Sequence, residues 1–149
     1  MLWNVQRAGA TDFRLSFDAI IQCYNLSTVV MFEPRISGQK ADNFIWGCGF
    51  KRSYKIEAVG FSGGIWILWR DFITVKITLN HKQFVHFKII SSNGLESWVT
   101  AVYASPIPTV WRELWYHLAN IASQMMDPWL VGGDFNAILC AHEKKGGSN

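Results

Sequence analysis

Trp129-Leu130-Val131-Gly132-Gly133-Asp134-Phe135-Asn136 is the stretch on which the reading of this chain turns. Trp129 to Val131 is a short apolar run, as expected of a strand buried on both faces. Two glycines follow, then an acid and an amide where strand passes into loop. Strand ends present ligand groups well, because the sheet fixes the side chain while the loop stays open. Taken singly, Asp and Asn beside Gly are ordinary turn residues that bond their own backbone. The rest of the chain has to decide between the two.

Working back from that stretch, Val110 to Met125 is an amphipathic helix, with Trp111, Leu114, Trp115, Leu118, Ile121 and Met125 on one face. Pro106 and Pro108 precede it and Thr109 is placed to cap it. Trp98 to Tyr103 is a strand behind the turn Asn93-Gly94. Ile73, Val75, Ile77 and Leu79 alternate with polar residues, and Phe84 to Ile90 is their hairpin partner. Ile65 to Trp69 is a further strand behind the turn Gly60 to Gly64, itself preceded by the alternating Tyr54, Ile56 and Ala58. Ser27 to Phe32 has no polar alternation, which predicts another strand buried on both faces, ended by Glu33-Pro34. A helix before it carries Phe13, Phe17, Ile20, Ile21 and Tyr24 at helical spacing, with Thr11 or Asp12 as cap. A short helix after it spans Gln39 to Cys48, closed by Gly47 and Gly49. Leu2 to Val5 is a short apolar start. This order predicts an α/β sandwich of mixed sheets with helices outside, and residues 1–149 as a single domain without repeat or linker.

Composition sets bounds on function. Of 149 residues, 50% are hydrophobic and 17% charged, which excludes a disordered chain. The net charge of +3 is spread out, with only Lys51-Arg52 and Lys144-Lys145 adjacent, so no basic patch announces a polyanion partner. Cys23, Cys48 and Cys140 are odd in number and far apart, which points to reduced thiols in an intracellular, soluble protein. No apolar run reaches the ~20 residues that cross a bilayer, so no membrane association is expected.

Four strand ends carry polar groups: Asn4, Glu33, Tyr103, and Asp134 with Asn136. Glu33 and the amide oxygen of Asn4 are hard oxygen donors of the kind Mg²⁺ takes. Asp134 can orient a water, while Asn136 and Tyr103 can donate to phosphate oxygens, a set suited to metal-assisted attack on a phosphodiester.

Five ordered motifs carry a resemblance: Trp3-Asn4-Val5, Gly60-Phe61-Ser62-Gly63-Gly64-Ile65-Trp66, Thr100 to Pro106, Trp129 to Asn136, and Glu143 to Gly147. With Glu33 ending its strand, they resemble the endonuclease/exonuclease/phosphatase superfamily, and within it the endonuclease domain of plant non-LTR (LINE-type) retrotransposons. The resemblance implies a deoxyribonuclease I-like fold: a four-layer α/β sandwich with two mixed β-sheets flanked by helices, here C-terminally incomplete. It implies Glu33 and Asn4 as ligands of Mg²⁺ (or Mn²⁺), Tyr103 and Asn136 as phosphate contacts, and Asp134 as the catalytic group that aligns water. DNA is the implied partner, in the nucleus, with a reverse transcriptase domain following in the full element and no obligate protein partner.

Some positions depart from the pattern. Arg7 stands where the superfamily has Gly, Gln6 where many members have a metal-side acid, and Pro34 where related domains have Thr. The closing Ser-Asp-His motif has no counterpart, and His81, His86, His117 and His142 do not match it. Two expectations follow: a DNA-nicking hydrolase domain, or an inactive, truncated remnant of one with at most weak nucleic-acid binding; at most weak Mg²⁺ binding and nicking near background are expected of the chain.

Overall fold

A computed structural model describes residues 1–6, 8–9, 11–57 and 64–137. Arg7, Ala58, Gly60 to Gly63, Cys140, His142 and the Glu143 to Gly147 motif lie outside the described residues. The elements run β1 (Leu2–Asn4), α1 (Thr11–Cys23), β2 (Thr28–Phe32), α2 (Gly38–Gly47), β3 (Arg52–Ile56), β4 (Ile65–Trp69), β5 (Thr74–His81), β6 (Phe84–Ile90), β7 (Glu96–Tyr103), α3 (Pro108–Gln124) and β8 (Trp129–Asp134).

The strands form two mixed four-stranded sheets, ordered β1-β2-β4-β3 and β5-β6-β7-β8. In each, one parallel pair lies at an edge, β1 with β2 and β7 with β8, and the other pairings are antiparallel. The unbroken apolar runs explain the layering. Along β2, Val29 and Met31 face the core under α1 and α2, where Phe17, Ile21, Phe44 and Ile45 pack. Val30 and Phe32 face the other way, into the core between the sheets with Ile65, Ile67, Val85, Phe87 and Ala101. A strand with both faces buried has no place for a polar residue. On the far side of the second sheet, Phe84, Val102 and Ala104 meet Leu114, Leu118 and Ile121 of α3. The result is the expected four-layer sandwich: helices, sheet, sheet, helix.

Four local expectations are corrected. β8 is not a buried strand: it lies at the edge of its sheet, and Leu130 is 58% exposed. Thr109 does not cap α3; the helix starts at Pro108, with Ile107 at the cap position and no side-chain cap. Pro brings a helix-ready φ and has no N–H to satisfy, and the Ile107 N–H is taken by Ser105 Oγ at 3.1 Å. Trp115 is 53% exposed rather than on the buried face, with its ring stacked on Phe135. Leu79 leaves the alternation because a bulge between Ile77 and Leu79 shifts the register. Cys48 is buried, which pushes its thiol up to about 12, so it stays protonated.

Candidate active site

The strands bring the residues of interest to one rim. Register puts Asn4 opposite Phe32, next to Glu33, and Tyr103 opposite Asp134. Hydrogen bonds then cross between the sheets. Asn4 Nδ2 donates to Asp134 Oδ2 at 2.6 Å, and the Tyr103 hydroxyl donates to Glu33 Oε1 at 2.6 Å. Asn4, Asp134, Tyr103 and Glu33 therefore close a ring that joins both sheets at their site-bearing ends. A cleft of about 430 Å³ opens beside it, bordered by Leu2, Asn4, Phe32, Gly133 and Asp134.

Each side chain is held from two sides. Asn4 Oδ1 accepts the Gln6 N–H at 3.3 Å, so both ends of the amide are oriented. Asp134 Oδ1 accepts the Asn136 N–H at 2.9 Å, the usual turn made by an acid two residues upstream. The Asn136 side chain does not project freely into the cleft: Nδ2 donates to the Ala104 carbonyl at 2.8 Å and ties this turn to the end of β7. Glu33 is buried, and its second oxygen, Oε2, accepts from Arg35.

The backbone concentrates strain here. Among the described residues, five non-glycine positions have positive φ, and Gln6, Glu33, Arg35 and Asn136 are four of them. Left-handed backbone costs such residues about 1–2 kcal/mol each, so it persists where surrounding contacts over-determine it. The glycines of β8 act differently, by letting chains approach. A Cβ on Gly132 would stand 2.6 Å from Leu2 Cδ1, and one on Gly133 would stand 1.9 Å from the Val102 carbonyl oxygen. A side chain at Gly133 would push β8 from β7, whereas at Gly132 only the end of the Leu2 side chain has to move.

Arg35 was not among the residues singled out in the sequence. Its signal was its place two residues after Glu33, in the loop that Pro34 stiffens. The described histidines lie elsewhere: His81 and His117 pack around Phe84 on the α3 side of the second sheet. His86 stacks on Trp98 and bonds Thr100.

As a donor set, the rim fits a hard divalent ion. Glu33, Asn4 and Asp134 offer only oxygen ligands, and the buried Glu33 carboxylate already attracts a cation, Arg35.

No family model matches the chain, and no curated protein matches it. Solved structures do. The endonuclease domain of TRAS1, a telomere-specific non-LTR retrotransposon, aligns over 93% of this chain with a TM-score of 0.66 and 18% identity. AP endonuclease LMAP from Leishmania major aligns over 99% with a TM-score of 0.66 and 10% identity. Humanized D. rerio TDP2 aligns over 93% with a TM-score of 0.63 and 12% identity. The chain spans 60%, 57% and 62% of those three chains, respectively. At these identities the likeness is one of fold, and with the two four-stranded sheets it establishes that the chain has the deoxyribonuclease I-like fold of the endonuclease/exonuclease/phosphatase proteins.

Proposed function

We propose that this chain is a Mg²⁺-dependent phosphodiester hydrolase domain of the endonuclease type, derived from a retrotransposon and acting on DNA, with residues 1–149 as one domain. The observation that carries this reading is the hydrogen-bonded ring. It sets Asn4 and Asp134 on the border of one cleft and ties the buried Glu33 carboxylate and the Tyr103 phenol to the same sheet ends. The TRAS1 endonuclease domain and LMAP supply the substrate class, since both are endonucleases by name.

The roles follow from who holds whom. Glu33 and Asn4 would hold Mg²⁺, which when bound stabilises negative charge on the phosphate. Tyr103 fixes one oxygen of Glu33 by donating its hydroxyl proton. Asp134 accepts from the Asn4 amide and the Asn136 backbone, which orient it to take a hydrogen bond from the attacking water. The Asn136 amide has its second N–H left to donate to a phosphate oxygen. Arg35 is 57% exposed and placed to turn from Glu33 toward phosphate.

One observation favours a second reading, an inactive remnant. Among the described residues no histidine stands at this rim, and a positioned acid or base contributes typically ~10²–10⁴-fold. Nicking of supercoiled plasmid with Mg²⁺ and with EDTA, by the wild type, Glu33→Gln and Asp134→Asn, separates the two. The hydrolase reading expects Mg²⁺-dependent nicking that both substitutions abolish. Nicking that Asp134→Asn leaves unchanged overturns the site. Mg²⁺ binding without nicking selects the remnant.

A further inference from the structure

On the opposite, helix-covered face of the second sheet, three ligand-bearing side chains meet. His81 is the last residue of β5, and Glu113 and His117 stand four apart on α3, so both helix residues point the same way. Their ligand atoms all lie within 4.8 Å of one another. His81 Nε2 is 3.3 Å from Glu113 Oε1, and the two imidazole rings are 5.0 Å apart.

We propose that His81, Glu113 and His117 form a second metal site, for a borderline transition ion such as Zn²⁺, separate from the oxygen-only rim at Glu33. Two imidazoles and a carboxylate are the ligand set of open tetrahedral zinc sites, which keep a fourth position for water. Mg²⁺ prefers oxygen, so chemistry alone divides the two sites. With metal–ligand bonds of about 2.0–2.1 Å, tetrahedral ligand atoms stand roughly 3.4 Å apart. The His81–Glu113 separation meets that already, and an ion would draw in any pair that stands wider.

The scaffold is rigid where it needs to be. Phe84, fully buried, packs against both rings, at 5.2 Å from His81 and 5.6 Å from His117. Lys82 holds the other Glu113 oxygen at 3.0 Å, which orients the carboxylate. The His81 tautomer opposes binding in part. The Gln83 N–H donates to Nδ1 at 3.3 Å, so in the structure Nε2 carries the proton and faces Glu113. An ion on Nε2 sends that proton to Nδ1 and forfeits a long, weak hydrogen bond, which lowers affinity without blocking the site.

Zn²⁺ titration of the whole chain by calorimetry, with and without excess Mg²⁺, tests this. His117→Gln and Glu113→Gln should each weaken one zinc equivalent by about tenfold or more, while Glu33→Gln and excess Mg²⁺ leave it unchanged. Far-ultraviolet circular dichroism of each variant checks that it folds. Co²⁺ in place of Zn²⁺ should give visible d–d bands without the charge-transfer bands of thiolate ligands, which excludes the cysteines. Zinc binding that is unchanged in both helix variants, that Mg²⁺ displaces, or that shows thiolate bands overturns the proposal. Loss of zinc binding in Glu33→Gln would instead place the ion at the rim.

Discussion

Gly133→Ala is the sharpest available test of how the rim is held. Gly133 lies in β8 opposite Val102 of β7, with φ at +143°. An added Cβ would come to 1.9 Å from the Val102 carbonyl oxygen and 2.8 Å from its carbon, inside the 3.0 Å that real Cβ atoms keep. Backbone on both sides leaves nothing flexible to give way. The cost combines a φ forced elsewhere, at about 1–3 kcal/mol of strain, with parting of β7 and β8, at about 1 kcal/mol per ladder hydrogen bond lost. Together about 3–5 kcal/mol of stability should disappear, in the range that marks a named structural fault. Gly94→Ala is the control: φ there is +83° with nothing within 4 Å, so only conformational strain applies, about 1–2 kcal/mol. Urea denaturation followed by tryptophan fluorescence gives both values. Equal losses in the two variants would refute the close-approach reasoning, and so would a Gly133→Ala protein as stable as the wild type.

Other outcomes follow from the same contacts. Tyr103→Phe removes a hydroxyl that donates to the buried Glu33 and should cost about 1.5–3 kcal/mol, read from the urea midpoint; an unchanged midpoint means that the bond is not formed in solution. Gln83 is 2% exposed, donates to the Val110 carbonyl and accepts the Ser105 N–H, so Gln83→Leu leaves the Ser105 N–H unpaired and should cost about 1–3 kcal/mol by the same assay. His86 is held below its ordinary pKa, chiefly by burial, with a bond to the Val99 backbone opposing. The unfolded ring therefore takes up a proton first, and the stability from a neutral His86 is complete above about pH 6.5 and falls as pH drops below it. His86→Gln should flatten that fall; an unchanged slope assigns the acid loss to other groups.

β2 and β4 were legible because burial on both faces removes polar residues: Val29 to Phe32 and Ile65 to Leu68 fill two cores at once; β5 was legible instead by its polar alternation. The four strand ends were legible as candidates for the same reason, since a polar residue closing an apolar run stands out. Their partners were not. Nothing local in Asn4 announces a bond to a residue 130 positions away, because only the strand order decides which ends meet. Trp115 misled because its spacing places it on the stripe, yet the helix turns it toward Phe135. Thr109 misled because a cap residue counts only at the right position, and Pro108 had already started the helix. The His81–Glu113–His117 cluster left only the i,i+4 pair in the sequence; the third member comes from β5 through the packing of α3 on Phe84.

The bond between Asn4 and Asp134 also sets an order of events during synthesis. Asn4 leaves the ribosome 130 residues before Asp134, which cannot pair with it until β8 has emerged and zipped onto β7. Until then β1 has only β2 to hold it, and Gly132, where Leu2 would rest, does not yet exist in the chain. Between those two events the nascent chain carries the acidic Glu33 without the Asp134 carboxylate beside it. Contacts so distant in sequence are slow to form. Docking of β8 onto β7 is therefore the event that completes the rim, and it comes late however the intervening chain folds.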